Sequence, residues 1–261
     1  MKRLIFVLLC FSILTLGSSA KIIEVAPAGA WGVIGISGGG SVVEEGTVLE
    51  FEELFDFTAN VEDDVNWDVT TSTGTVTLLK ASGTYAYVFE GEDFAYWHAI
   101  YQTAAGGVDQ AVKMRMGEAS IDTGFYMGYG ALLRAVNAGA TGICYRLYVK
   151  GNNTGVVKFA VETNTGVSTT DYGSDVTIDA VTDGDWIGFA VTGTGASTVF
   201  SYWDFGVTDP GDYGSWGDAT ETLDETGLDT PLDAGNYVGF FLGYHVNGPH
   251  HQINTWEGGG W

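Results

Sequence analysis

Gln110-Ala111-Val112-Lys113-Met114-Arg115-Met116-Gly117 carries hydrophobic side chains on one parity and charged ones on the other. Tyr145-Arg146-Leu147-Tyr148-Val149-Lys150 and Val157-Lys158-Phe159-Ala160-Val161-Glu162 repeat the pattern. A period of two sends successive side chains to opposite faces of a strand, so each run predicts one face in a core and one face in water. Antiparallel sheets that share a core on one side have this signature. The fold class expected from these runs is all-β, a two-sheet antiparallel sandwich.

Working outward, further strands are predicted at short, regular spacing. They span residues 66–80 (split by a turn at Thr73-Gly74), 84–90, 95–102, 110–117, 124–136, 143–150 and 156–163. Others span 186–192, 197–205, 237–245 and 252–256. Gly151-Asn152-Asn153-Thr154-Gly155 reads as a hairpin loop and Asp183-Gly184 as a turn. Residues 206–235 form a long connection, of the kind that in a compact domain carries function or stays disordered. There are 39 glycines without a three-residue period, and only 4 prolines; this composition fits many tight turns and not collagen.

Residues 1–20 have the form of a signal peptide: Lys2 and Arg3, an apolar run from Leu4 to Leu16, then Ser18-Ser19-Ala20. Residues 21–50 are expected to be an amino-terminal lead or spacer and residues 51–261 the sandwich. Cys10 leaves with the leader, so Cys144 is expected to be a buried free thiol. Without Lys2 and Arg3 the charge is 8 − 33 = −25 from 10 basic and 33 acidic residues in the whole chain. Nucleic acid is a poor partner for such a surface. Membrane insertion after leader removal is not expected, since no later stretch is long and apolar enough to span as a helix. The expected location is secreted, extracellular or periplasmic.

Several landmarks fall in a familiar order. Phe55-Asp56-Phe57 is followed by Trp67, Ala95-Tyr96-Trp97, Asp109-Gln110-Ala111-Val112, Gly124-Phe125-Tyr126 and Ile253-Asn254-Thr255-Trp256-Glu257-Gly258-Gly259. In this order the chain resembles the concanavalin A-like (laminin-G, lectin and glucanase) jelly rolls, in a secreted or phage-associated branch. Asn254 stands where the family pattern has Asp. The resemblance implies a jelly-roll sandwich that binds a polysaccharide or surface glycan, in some members with Ca²⁺. It does not transfer an activity by itself.

Catalysis finds little support in the residues. A retaining glucanase needs two carboxyl groups about 5 Å apart, and neither Glu50/Glu52/Glu53/Asp56 nor Glu118/Asp122 has the full spacing. There is no Gly-x-Ser-x-Gly elbow. Carboxylates in Asp171–Asp175 and in Asp209-Pro210-Gly211-Asp212 could wrap Ca²⁺, although neither matches an EF-hand loop. The spacing of His245, His250 and His251 matches no zinc motif.

Aromatic rings are then the expected ligand carriers, because sugar C–H faces lie on Trp or Tyr while nearby polar groups take the hydroxyls. Trp203, Tyr213 and Trp216 lie in or beside the long connection, and Tyr244 with His245 ends a later strand. A second candidate is the polar parity of the opening runs, Lys113, Arg115, Arg146, Tyr148, Lys150 and Lys158, read as one sheet face that holds acidic sugars or pairs with the acidic surface. The function expected is that of a non-catalytic lectin-like module. A structural or adhesive envelope protein is the alternative, with a polysaccharide hydrolase or lyase behind it.

Overall fold

A computed structural model describes residues 49–261 except 57, 72–78, 89–94, 120, 122–127, 137–142, 152–155, 165–168, 225–231 and 245–250. The signal peptide, nearly all of the lead, and His245 and His250 lie outside the described residues. The sandwich belongs to the compact unit Val43–Trp261.

The strands in chain order begin with β1 (Phe51–Glu53), β2 (Thr58–Asn60), β3 (Trp67–Thr71), β4 (Leu79–Ser82), β5 (Ala86–Val88) and β6 (Ala95–Tyr101). They continue with β7 (Gln110–Glu118), β8 (Gly128–Ala135), β9 (Cys144–Gly151), β10 (Val157–Asn164) and β11 (Thr169–Thr177). The last are β12 (Trp186–Thr192), β13 (Val199–Gly206), β14 (Glu221–Asp224), β15 (Tyr237–Tyr244) and β16 (Gln252–Gly260). Among the described residues the only helical pieces are three-residue 3₁₀ turns. One sheet runs β14-β13-β12-β7-β16-β5-β4-β2, with β1 added against β16; the other runs β11-β10-β9-β8-β15-β6-β3. Among the described residues every pairing is antiparallel. The all-β two-sheet sandwich expected from the sequence is the observed architecture.

Parity decides what fills the space between the sheets. Val112, Met114 and Met116 of β7 join Tyr145, Leu147 and Val149 of β9 and Phe159 and Val161 of β10 in one buried cluster. Three landmark tryptophans meet there as well. Trp67 packs edge-on against Trp256 at 4.9 Å, Tyr101 stacks on Trp256 at 5.6 Å, and Trp97 is fully buried. Such ring pairs contribute about 0.5–1.5 kcal/mol beyond the area they bury.

The opening runs differ from expectation in two ways. First, β7 lies in the nine-stranded sheet and β9 and β10 in the seven-stranded one. Lys113 and Arg115 therefore share no face with Arg146, Tyr148, Lys150 and Lys158. Second, the outer parity is not generally wet. Lys113 is 2% exposed and Arg146 4%, and Tyr148 and Lys150 are also buried. Each sheet carries a further buried apolar cluster outside the main core.

Some strands escape the alternation rule. Asp171-Tyr172-Gly173-Ser174-Asp175, expected as a glycine loop, lies within β11 and pairs with β10 across a bulge. Residues 221–224 of the long connection form the edge strand β14. β1 and β2 precede the first expected strand, and β16 runs four residues past its expected end. β9 pairs antiparallel with β10, residues 152–155 of the expected loop between them lie outside the described residues, and the turn at Gly184 (φ +90) stands where the glycine placed it.

Candidate functional site

The outer face of the nine-stranded sheet is floored by small residues. Ala111 faces Ala190, Gly188 faces Lys113, and Trp203 faces Gly188 in the β13–β12–β7 register. A Cβ on Gly188 would stand 2.6 Å from the Trp216 ring and 2.9 Å from Phe205. The missing side chain therefore lets the connection after β13 lie flat on the sheet.

The structure does bring Trp203, Tyr213 and Trp216 together. Their centroids are 5.1 Å (Trp203–Trp216), 5.0 Å (Tyr213–Trp216) and 5.8 Å (Trp203–Tyr213) apart, and Trp261 adds a ring 4.3 Å from Tyr213. The expected open platform is instead largely a packed patch. Trp203 is 5% and Trp216 6% exposed. The Trp203 indole N–H donates to Gly217 O at 3.2 Å and that of Trp216 to Gly211 O at 3.0 Å. Tyr213 and Trp261 are half-buried. Burial, then the nearby Asp109 charge, pushes the Tyr213 hydroxyl pKa up. Tyr244 closes β15 opposite Ala95, at the other sheet, so it takes no part in this patch.

Lys113 anchors the same connection. Its ammonium donates to Asp209 Oδ1 at 2.8 Å and to Gly211 O at 3.1 Å, ion-pairs with Glu257 at 3.0 Å, and stands 4.9 Å from the centre of the Trp186 ring. Arg115 is exposed and donates from Nε to Gly184 O at 3.5 Å. Burial raises the Glu257 pKa against the Lys113 hydrogen bond and charge. Burial acts upward on Asp209 too, but there the Lys113 hydrogen bond, the Gly211 N–H and the Lys113 charge together win and hold it low.

The outer face of the seven-stranded sheet assembles the other candidates. Across the register, Lys150 stands opposite Lys158, Tyr148 opposite Ala160 and Arg146 opposite Glu162, while Gly130 of β8 separates Tyr148 from Phe241 and Phe241 stands opposite His98. These positions carry a continuous polar chain. Arg146 Nη1 is 3.4 Å from His98 Nε2, and Arg146 is ion-paired with Glu162. Glu162 accepts the Tyr148 hydroxyl hydrogen bond. The Lys150 ammonium donates to Tyr148 Oη at 3.2 Å and pairs with Asp175 at 3.2 Å; Lys158 reaches the same carboxylate at 3.9 Å. Aromatic rings surround the guanidinium, with Tyr96 at 4.7 Å, Phe241 at 5.2 Å and Tyr148 at 5.4 Å from Arg146 Cζ. Arg146 Nε is buried with no hydrogen-bond partner.

Four of the six residues expected on the polar parity therefore do converge, joined by Tyr96, His98, Phe241 and Glu162. The sequence held a usable signal for Tyr96 and His98, because they flank the inward Trp97 in a strand and so share its outer face. Phe241 gave no such signal within its almost uniformly apolar strand. No local pattern points to Arg134 either. It is fully buried with φ +51 and donates to Val108 O at 2.8 Å, Leu232 O at 3.3 Å and Gly193 O; its carboxylate neighbours are Asp109 and Asp233, each at 3.7 Å.

Of the carboxylates that could wrap Ca²⁺, Asp175 pairs with the two lysines and Asp209 with Lys113. Among the described residues, no group of three or more His, Cys, Asp or Glu side chains is placed to hold a metal ion. His251 is buried against the Tyr129 ring at 4.9 Å. Cys144 is buried and in no disulfide.

No family model matches this sequence, and no curated protein matches it. Solved structures similar to the chain include the exoplasmic/lumenal domain of VIP36 in its Ca²⁺/Man3GlcNAc-bound form (TM-score 0.49, 14% identity, 81% of this chain and 91% of that one). The Emp47p carbohydrate recognition domain is similar at TM-score 0.48 and 11% identity, over 85% of this chain and 99% of that one. The CBM2 module of Lactobacillus casei BL23 phage J-1 evolved Dit is similar at TM-score 0.46 and 10% identity, over 81% and 94%.

Proposed function

We propose that this protein is an exported, non-catalytic saccharide-binding module whose ligand lies on the outer face of the seven-stranded sheet. The observation that carries this reading is the polar chain from His98 through Arg146, Glu162, Tyr148 and Lys150, all buried, which reaches the surface at the half-buried side chain of Lys158 and is bordered by the half-buried ring of Tyr96. Saccharides need both kinds of surface side by side, rings for their C–H faces and fixed donors and acceptors for their hydroxyls. The patch around Trp216 offers fewer free groups, because its indole N–H groups already serve the connection that carries them.

Binding without turnover fits the carboxylates. Glu162 is engaged by Arg146 and Tyr148, and Asp175 by Lys150 and Lys158, so neither of these two carboxylates is free for acid–base work across a glycosidic bond. Export rests on the leader residues Lys2, Arg3, Leu4–Leu16 and Ser18-Ser19-Ala20. Among the described residues no helix is long and apolar enough to cross a membrane.

A glycan array probed with the mature chain, Tyr96→Ala and Tyr213→Ala tests the reading. Binding retained in Tyr213→Ala and lost in Tyr96→Ala is the expected result. The reverse pattern moves the ligand to the Trp216 patch. Sugar release from the array polysaccharides overturns the non-catalytic assignment, and self-association with no glycan bound favours the adhesive one.

A further inference from the structure

We propose a second saccharide site on the outer face of the nine-stranded sheet, formed by Tyr85, Tyr87, Gln252 and Glu118 and suited to a neutral sugar chain. It is independent of the seven-stranded face, which lies across the inter-sheet core on the opposite side of the sandwich.

The connection after β13 closes only part of this outer face, where Trp203 and Trp216 cluster with Ala111 and Ala190. Beyond that cluster the register sets four residues in one row across β7, β16, β5 and β4. Glu118 stands opposite Gln252, Gln252 opposite Tyr87, and Tyr87 opposite Lys80. Neighbouring strands lie about 4.8 Å apart, so the row runs about 14 Å from end to end. Ala86, Val88 and Ile253 belong to the core, which puts Tyr87 and Gln252 on the outward parity. Glu118 would share the inward parity of Met114 and Met116, but the register skips Gly117 between the pairs Gln252–Glu118 and Ile253–Met116. This bulge turns Glu118 outward beside Gln252. A Cβ on Gly117 would stand 2.0 Å from Asn254 Oδ1, so the missing side chain also admits the Asn254 amide here.

The groups of this row reach the surface. Tyr85, Tyr87, Glu118, Gln252 and Asn254 are all half-buried. Gln252 Nε2 donates to Glu118 Oε2 at 3.3 Å, which holds an amide and a carboxylate side by side. The amide has a second N–H and a carbonyl oxygen, and the carboxylate a second oxygen, so the pair can both donate to and accept from adjacent sugar hydroxyls. Tyr85 and Tyr87 meet edge to face at 5.3 Å, an arrangement that leaves ring face for the C–H surface of a sugar. Charge sets the class. Lys80 and Glu118 stand at opposite ends of the row and balance, while the whole chain carries −23, so a neutral chain fits where a polyanion is repelled.

A shallow face encloses little of a sugar and releases it quickly, so this site is read at equilibrium and not on a washed array. The experiment is affinity electrophoresis of the mature chain through gels holding laminarin, galactomannan or xyloglucan (all neutral) or polygalacturonate (acidic). Wild type, Gln252→Ala, Tyr85→Ala and Tyr96→Ala are compared, with circular dichroism verifying each fold. The expected result is retardation by at least one neutral polysaccharide that persists in Tyr96→Ala and weakens about three- to tenfold in Gln252→Ala, the size of one hydrogen bond. Tyr85→Ala should weaken it as well. Retardation abolished by Tyr96→Ala and unchanged in both Gln252→Ala and Tyr85→Ala overturns the second site and leaves the seven-stranded one standing. Retardation by polygalacturonate alone overturns the neutral class. No retardation in any gel overturns the second site, while the array decides the seven-stranded face separately.

Discussion

The buried ammonium of Lys113 stands 2.8 Å from Asp209 Oδ1, joining the middle of β7 to a connection that begins 90 residues or more further along the chain. Sheet and connection are thus coupled through one cation, which also pairs with Glu257 on the neighbouring strand β16. The Trp203, Tyr213 and Trp216 rings pack in that same connection and on the strand that leads into it.

Lys113→Met removes both pairings and leaves Glu257 half-buried without its cation. The expected loss is about 1–3 kcal/mol, measured by urea unfolding, with a red shift of tryptophan emission as the indoles near Gly211 and Gly217 become wet. Emission and stability equal to the wild type would show that ring packing alone seats the connection.

Asp204 gives a prediction with a definite sign. Burial raises its pKa, and the Asp185 and Asp179 charges add to this against the Gly206 N–H hydrogen bond. A carboxyl with a folded pKa above its unfolded value is disfavoured in the fold once ionised. Its contribution is most favourable below the unfolded pKa and is lost as the pH rises through the folded pKa. Asp204→Asn keeps an acceptor for Gly206 and cannot ionise. It should be more stable than the wild type at pH 7, and the difference should vanish as the pH falls below the ordinary carboxylate range. Thermal melts at both pH values read this, and an equal offset at the two would refute it.

Arg134 ties three segments through the carbonyls of Val108, Gly193 and Leu232. Arg134→Met strands those carbonyls and the adjacent Asp109 and Asp233, so a loss of about 2–5 kcal/mol is expected in equilibrium unfolding. Arg134→Gly relaxes the φ of +51 but removes the same side chain. It should lose nearly as much, because backbone strain at one residue is the smaller contribution.

Alternation in the chain determined the strand faces. Val112, Leu147 and Phe159 had to point one way and Lys113, Tyr148 and Lys158 the other, since a pleated backbone turns every second side chain over and this needs only neighbours in sequence. The inter-sheet core and the all-β class follow from that local rule. Local information also placed the turn at Gly184. It could not say which strands become neighbours. That β7 joins one sheet while β9 and β10 join the other is fixed by long-range hydrogen bonding, and this separated Lys113 from Arg146 and gathered His98, Phe241 and Glu162 around the latter. Nor could it foresee that outward cations would be buried. The charges of Lys113 and Arg146 are tolerated inside because distant carboxylates and rings close over them, and only the folded chain brings those partners within reach.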